Sequence, residues 1–231
     1  MTDPGPLVAA GRDADIFALG EGLVLRRARG GRSLRAEAEV MEYVRRQGYP
    51  VPAVDRLSDD GTELVMERVE GPSMATALGR RPWTLRRTGS LLGDLHRRLH
   101  EIPAPAGLRG APVGSGTSLV HLDLHPLNVL MTPKGPVVID WANAAVGDAA
   151  LDVAITWVLM KAGEIPGGRV RAAVMGWGRE AVIGGFLAGF DLAPVRAVMA
   201  AVVEWKATDP HMSELERRRM RAVAEAAAPA P

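Results

Sequence analysis

The chain has 231 residues, a formal net charge of +1 and no cysteine. The near-neutral charge gives no electrostatic support for binding nucleic acid or a membrane surface, and the lack of thiols excludes disulfides, thiolate catalysis and cysteine-ligated metals. Because residues 1–11 lack the basic start and apolar core of a secretory signal, and no apolar run approaches the roughly 20 residues that span a bilayer, we expect a cytoplasmic protein.

The first part of the chain alternates short apolar runs with turn residues. Five of these runs predict strands: Leu7–Ala10, Ile16–Leu19, Leu23–Arg26, Ala53–Leu57 and Thr62–Met66. Between the third and fourth runs, apolar residues recur at helical spacing from Leu34 to Val44. Ser33 is the expected N-cap of this helix, and Gly48 marks its end. We therefore predict a small sheet with one helix.

The later part of the chain has a mostly helical pattern. Leucines between Leu85 and Leu99 share one helical face, which ends at Ile102-Pro103. Further helices are predicted near 150–163, 179–190, 193–207 and 212–227, and Pro166-Gly167-Gly168 separates the first two. A sheet-rich first part and a helical second part predict an α+β protein.

The stretch with the clearest chemical pattern is His121-Leu122-Asp123-Leu124-His125-Pro126-Leu127-Asn128, followed by Ile139-Asp140-Trp141. The carboxylate of Asp123 can orient or accept a hydroxyl proton, while Asn128 and Asp140 offer the hard oxygens that Mg²⁺ prefers. Two apolar runs around a Thr132–Gly135 turn predict a β-hairpin over 129–141. That hairpin would return both metal ligands to one place, as phosphoryl transfer requires.

These residues resemble the aminoglycoside phosphotransferase family, small-molecule relatives of the protein kinases. The family's catalytic loop has the form His-x-Asp-x-x-x-x-Asn, and its metal strand ends in Ile-Asp-Trp or Ile-Asp-Phe; a Gly-Asp-x-x-x-Asp pattern follows, here from Gly147 to Asp152. The resemblance implies a two-lobed protein-kinase-like fold. Its parts would be a small antiparallel-sheet N-lobe with one helix (1–66), a hinge (67–71) and a mostly helical C-lobe (72–231). The C-lobe would carry the catalytic loop (121–128) and the metal hairpin (129–141).

The same resemblance implies an activity, which is transfer of the γ-phosphoryl group of ATP or GTP to a hydroxyl of a small molecule. Asp123 would be the base, and Asn128 with Asp140 would hold Mg²⁺. His121 and Asp152 would support the catalytic loop rather than touch substrate. The expected partner is thus a small-molecule hydroxyl compound.

Nucleotide contacts are also implied by the resemblance. The backbone of Glu67 and Val69 would hold the adenine edge, with Met66 behind the ring. Kinases use a strand lysine to contact the phosphates, but this strand ends in Arg26 and Arg27 and has no lysine. Arg26 aligns best with the family's basic position, and its charged fork can contact phosphate oxygens. Glu37 is its expected helix partner, with Glu39 as the fallback.

Two alternative functions stay open at this stage. The loop from Gly11 to Asp15 lacks the repeated glycines that let backbone N–H groups cradle phosphates. Together with the missing lysine, this leaves a catalytically silent nucleotide-binding pseudokinase as one alternative. The other alternative is a zinc-dependent hydrolase, because His121, Asp123 and His125 alternate as they would on a strand that aims all three side chains at one Zn²⁺.

The acceptor is expected to differ from the polycations that give the family its name. A pocket for a polycation should concentrate carboxylates. From Asp152 onward, acidic and basic residues are balanced, with no acidic excess. We therefore expect a small neutral or weakly charged hydroxyl compound as the acceptor.

Overall fold

A computed structural model describes residues 4–11, 13–80, 82–163, 169–209 and 212–227, with backbone alone for 80, 82 and 169–177. The chain divides into two compact units. Unit 1 comprises Met1–Ser73 and Asn128–Ala144, and unit 2 comprises Met74–Leu127 and Ala145–Pro231. The 129–141 hairpin belongs to unit 1 together with the N-terminal sheet.

Unit 1 is built on a five-stranded antiparallel sheet of order β1-β2-β3-β5-β4. Its strands are β1 (Leu7–Ala10), β2 (Ala14–Leu19), β3 (Leu23–Ala28), β4 (Val54–Leu57) and β5 (Glu63–Glu67). The central strands supply Leu25 and Leu64, which are fully buried. Helix α1 (Arg35–Arg46) adds Met41 and Val44 to this core, as expected of an amphipathic helix that covers one sheet face.

The hairpin of unit 1 consists of β7 (Val129–Thr132) and β8 (Gly135–Val138). Val138 donates its N–H to Pro50 O at 2.8 Å, which ties β8 to the segment after α1. The 3₁₀ turn Trp141–Asn143 follows, and the buried Trp141 ring meets Tyr49 edge-on at 5.6 Å between centroids. These contacts place the end of the hairpin beside α1.

Unit 2 is helical, apart from one small two-stranded sheet of β6 (Ser118–Val120) and β9 (Ala145–Gly147). Its helices are α2 (Met74–Arg80), α3 (Leu85–His100), α4 (Ala149–Ala162), α5 (Arg169–Leu187), α6 (Leu192–Ala197), α7 (Met199–Ala207) and α8 (Glu214–Ala227). Leu92, Leu95 and Leu99 of α3 and Phe186 of α5 form much of the core. Helices α3 and α5 approach closely because Gly89 and Gly185 leave no side chain at their crossing.

The predicted α+β class is confirmed, and the five predicted strands and the first helix are found in the expected order. Some boundaries differ. Helix α1 begins one residue after its N-cap Leu34, and Ser33 Oγ instead accepts the Arg35 N–H at 3.2 Å. The single helix predicted over 193–207 is two helices that meet at Val198.

The Pro166–Gly168 separator lies outside the described residues. Within the described ranges, each helix is too short or too polar to span a bilayer.

Candidate active site

The β7–β8 hairpin brings the two predicted metal ligands to the same end. Val129 pairs with Val138, and one step further along, Ile139 donates its N–H to Asn128 O at 3.0 Å. Asp140 follows immediately, with a left-handed φ of 66° that turns the chain out of the strand. An amide oxygen and a carboxylate that leave one hairpin end suit a hard cation such as Mg²⁺. The Asp140 side chain is 43% exposed, so a ligand can reach it.

Arg26 is the cation that contacts both carboxylates of this region. Its Nη2 lies 3.2 Å from Asp140 Oδ1 and 3.3 Å from Glu37 Oε2. The Arg26 side chain is mostly buried at 12% exposure, so its charge is weakly screened. Glu39, the fallback partner, is exposed on α1. The structure thus brings together Arg26 of β3, Glu37 of α1 and Asp140 after β8.

Glu37 has an unusual electrostatic environment. Burial raises the pKa of its carboxyl to about 7, and the negative charge of Asp140 acts in the same direction. Arg26 and a hydrogen bond from the Trp141 backbone oppose this shift in pKa. A pocket of about 40 Å³ lies beside Arg26 and Glu37, lined also by Arg32 and Ser33. The arrangement has the cation needed to contact an anionic phosphate.

The segment predicted as a hinge continues directly from β5. Met66 is half-buried in β5 and pairs with Val24 and Val54, and Glu67 is exposed at the end of the strand. Glu67 Oε2 accepts the Ala53 N–H at 3.0 Å, which anchors the end of the strand. Val69 is half-buried just beyond it.

The loop between β1 and β2 is closed without a glycine repeat. Gly11 donates its N–H to Ala14 O at 2.9 Å, and Asp15 of β2 pairs with Arg29, which directly follows β3. Arg12 of this loop lies outside the described residues. Because side chains occupy the turn, backbone N–H groups cannot approach a phosphate as closely as in a glycine-rich loop.

In unit 2, the start of the predicted catalytic loop (121–128) is held by the buried carboxylate of Asp152 in α4. Asp152 Oδ1 accepts the Leu122 N–H at 2.7 Å, Oδ2 accepts the His121 N–H at 3.1 Å, and His100 Nε2 lies 3.1 Å from Oδ2. Leu122 adopts a left-handed φ of 62°, a strained conformation for a leucine. Burial alone raises the pKa of Asp152, but the hydrogen bond from His100 and the nearby His96 outweigh burial, so the pKa lies well below its ordinary value.

Asp123 is part of unit 2 and keeps a partly accessible side chain, 21% exposed. His125 Nε2 lies 3.6 Å from Asp123 Oδ1, and Lys206 Nζ of α7 lies 3.9 Å from the same oxygen. Asp148, the other acidic residue of the downstream motif, caps α4 by accepting the Ala150 N–H at 2.8 Å.

The zinc alternative has no geometric support. The segment 121–125 is not a strand, since β6 ends at Val120 and Leu122 has a positive φ. His121 is completely buried. In the part of the chain that the structure describes, no three His, Cys, Asp or Glu residues are grouped to hold a metal ion.

Sequence reasoning missed two residues of this region. His100 ends α3 and contacts Asp152, although its spacing suggested only a helix end. Lys206 lies beside Asp123 from a distant helix. Its signal in the sequence was a lysine near the end of the largely apolar helix from Met199 to Ala207, because a charge in such a helix must find a partner.

A five-stranded antiparallel sheet with one helix, a carboxylate-braced catalytic loop and a hairpin that ends in an aspartate define a protein-kinase-like class of phosphotransferase folds. The chain belongs to the phosphotransferase enzyme family, whose model matches residues 5–116 and 108–202. The resemblance to aminoglycoside phosphotransferases is thereby confirmed.

Among curated proteins, the chain is similar to a probable bifunctional tRNA threonylcarbamoyladenosine biosynthesis protein of Methanoculleus marisnigri. The two are 29% identical over 151 residues, which is 60% of this chain and 24% of that protein. The chain spans less than half the length of the curated relatives it matches.

Among solved structures, it is similar to a choline/ethanolamine kinase family protein from Mesorhizobium loti. The TM-score is 0.64 at 17% identity, with 98% of this chain and 89% of that chain covered. It is also similar to the streptomycin-ATP-APH(2")-IIa ternary complex, with a TM-score of 0.58 at 16% identity and coverage of 87% and 82%. At these identities the likeness shows the fold, and the kinase-like fold is confirmed.

Proposed function

We propose that the chain transfers the γ-phosphoryl group of ATP, or of GTP, to a hydroxyl of a small molecule. The observation that carries this proposal is the position of Arg26, 3.3 Å from Glu37 and 3.2 Å from Asp140. A cation fixed between a buried carboxylate and an accessible carboxylate suits a site that holds nucleotide phosphates and their metal ion. The similar structures include a kinase family protein and a complex with ATP, which supports the same class of reaction.

On the nucleotide side, the chain's own groups have separate tasks. Arg26 contacts the phosphates, and Glu37 holds the guanidinium in place. The backbone of Glu67 and Val69 binds the adenine edge, with Met66 behind the ring. A planar guanidinium can contact two phosphate oxygens at once, so arginine can replace the usual strand lysine at this position.

The residues at the hairpin end fit Mg²⁺ as the accompanying cofactor. Asn128 and Asp140 would hold it through an amide and a carboxylate oxygen, which are hard ligands. When bound, Mg²⁺ neutralises charge on the phosphates and on the leaving group. Of these two residues, only Asp140 carries a full negative charge, so it should contribute most of the affinity for Mg²⁺.

On the acceptor side, Asp123 orients the hydroxyl and takes its proton. The acceptor oxygen then forms a bond to the γ-phosphorus, and the bond between that phosphorus and the bridging oxygen of the nucleotide breaks, so that the nucleoside diphosphate leaves with the electron pair. Asp152 supports this step indirectly by binding the backbone at His121 and Leu122, which fixes the start of the loop.

The test uses the variant Asp123→Asn, which keeps the shape of the side chain and removes the base. Turnover with a panel of hydroxylated compounds, followed by mass change, should fall by roughly 10²–10⁴-fold while nucleotide affinity stays unchanged. The matched control is Asp94→Asn, because Asp94 is an exposed aspartate of α3 that pairs only with the solvent-exposed Arg97 among the described residues. Near-normal turnover by Asp123→Asn would rule out Asp123 as the base.

A nucleotide-binding pseudokinase remains the second candidate because the β1–β2 loop has no glycine repeat. Two measurements distinguish the candidates. A pseudokinase binds MgATP but forms no phosphorylated product with any acceptor, and its background ATP hydrolysis is the same in wild type and Asp123→Asn.

A further inference from the structure

Lys206 is a buried lysine beside the proposed base. It lies on α7, its side chain is 8% exposed, and its Nζ is 3.9 Å from Asp123 Oδ1. The ammonium also lies 5.1 Å from the centroid of the Trp205 ring. The chain has only three lysines, and the other two, Lys134 and Lys161, are more accessible. Its burial therefore sets Lys206 apart.

The hydrogen-bonding capacity of Lys206 is not used by the described residues. At 3.9 Å, the contact with Asp123 is an ion pair that is too long to be a hydrogen bond. No described residue accepts a hydrogen bond from Nζ. An ammonium carries three donors, and removing it from water is costly unless an anion compensates. The group is thus suited to a further anionic partner.

His125 adds a hydrogen-bond donor beside the base. Leu127 donates its N–H to His125 Nδ1 at 3.3 Å, so the neutral ring carries its proton on Nε2. That Nε2 is the atom 3.6 Å from Asp123 Oδ1. The His125 N–H and the Lys206 ammonium therefore face the same carboxylate oxygen. A second cation brought by an acceptor would be repelled by the Lys206 ammonium.

We propose that Lys206 selects the acceptor by charge. Its ammonium binds a carboxylate or another oxyanion next to the hydroxyl that is phosphorylated, and it disfavours acceptors with an ammonium in that place. This inference rests on the proposed function, because it takes Asp123 as the base. The acceptor class is then a small hydroxylated acid rather than an aminoglycoside-like or choline-like cation.

The experiment compares three acceptors that differ mainly in charge: glycerate, glycerol and aminopropanediol. Opposite charges about 4 Å apart in a partly buried site interact strongly, so wild type should favour glycerate over glycerol by at least about tenfold in kcat/KM, with aminopropanediol poorer still. Lys206→Met keeps the length of the side chain and should abolish this preference. Lys206→Arg keeps the charge and should preserve the order.

The matched control is Lys134→Met, which removes an exposed lysine from the hairpin turn and should leave the preference intact. A preference of the same size in Lys206→Met and wild type overturns the inference. A uniform loss of kcat/KM for all three acceptors also overturns it, because Lys206 would then act on the transferred phosphoryl group. The inference is also overturned if the wild-type protein favours glycerate over glycerol in neither turnover nor binding.

A binding measurement separates this inference from the proposed function. Glycerate binding to the nucleotide-free protein is followed by ligand-observed NMR in wild type and Lys206→Met. If no acceptor is phosphorylated but glycerate still binds wild type at least about tenfold more tightly than it binds Lys206→Met, the charge-selective site stands and the proposed activity fails. Equal binding to the two proteins overturns the charge-selective site, whatever the activity.

Discussion

Arg26 Nη2 lies 3.2 Å from Asp140 Oδ1, although 114 residues separate the two in the chain. Their meeting depends on two local features. Arg26 of β3 lies on the sheet face that α1 covers, where it meets Glu37 at 3.3 Å. Asp140 itself adopts a left-handed φ of 66°, which turns the chain as it leaves the hairpin. The pair links the strand that should contact phosphates with the residue that should bind the metal ion.

The first prediction concerns the two neighbouring arginines of β3. Arg26→Ala should raise the apparent Michaelis constant for ATP by about tenfold or more, because a mostly buried charge-assisted contact to phosphate is lost. Arg27→Ala should change it little, since adjacent strand residues face opposite sides and Arg27 pairs with Glu63 at 2.8 Å. Steady-state kinetics over a range of ATP concentrations measures both. An increase in the Arg27 variant alone would contradict the assigned strand face.

The second prediction concerns the metal ligands. Asp140→Ala should weaken MgATP binding more than Asn128→Ala, because Asp140 contributes a full charge and Asn128 only a dipole. Calorimetric titration with MgATP, and with ATP in the presence of a chelator, gives the metal-dependent part of the affinity. Equal metal-dependent affinity in wild type and Asp140→Ala would exclude Asp140 as a ligand.

The third prediction concerns Asp152, which is completely buried and accepts two backbone N–H groups. Asp152→Ala should lower the free energy of unfolding by about 3–5 kcal/mol, because buried donors and a nearby histidine lose their partner. Asp148→Asn is the control, since asparagine also caps helices well and should cost little. Urea unfolding gives both values. A loss under about 1 kcal/mol for Asp152→Ala would mean that the loop does not depend on this carboxylate.

The fourth prediction follows from the pKa of Glu37, which burial raises from 4.5 to about 7. A carboxyl with a higher pKa in the folded chain binds more protons when folded. Its contribution to stability is therefore complete below about pH 4.5 and is lost as the pH rises through about 7. The stability of wild type relative to Glu37→Gln should fall over this range.

Urea unfolding of the metal-free and nucleotide-free proteins at pH 5 and about 8 measures this difference. The comparison with Glu37→Gln is necessary because His96 acts in the opposite direction. Burial lowers the pKa of His96 to about 4, so its contribution makes stability rise with pH below about 6.5 and cancels between the two proteins. Parallel pH profiles for wild type and Glu37→Gln would show that Glu37 ionises normally.

Local patterns predicted most of unit 1. The strands, α1 and the β7–β8 hairpin follow from apolar spacing and turn residues, which act over a few positions. Arg26 and Glu37 could be expected to meet because the spacing of α1 places Glu37 among buried residues. The left-handed φ of Asp140 was not predictable, since nothing in Ile139-Asp140-Trp141 requires it locally.

Long-range contacts account for most of what the sequence did not predict. The three-residue strands β6 and β9 are too short to give a periodic signal, and they form because distant segments pair. Helix α5 begins at Arg169, before the predicted start at 179. The contact of Lys206 with Asp123 joins separate elements of unit 2. Each of these features depends on tertiary packing rather than on local preference.

The regular pairing of β7 with β8 restricts where this chain can gain or lose residues. Val129 to Thr132 pair in unbroken register with Val138 to Gly135. Because successive strand residues face opposite sides, one residue inserted into β8 or deleted from it would exchange its faces and bring Ile139 or Trp141 to the place of Asp140. Insertions at Pro133 or Lys134, in the exposed turn, leave that register unchanged. Natural or engineered changes in the length of this hairpin should therefore be confined to its turn.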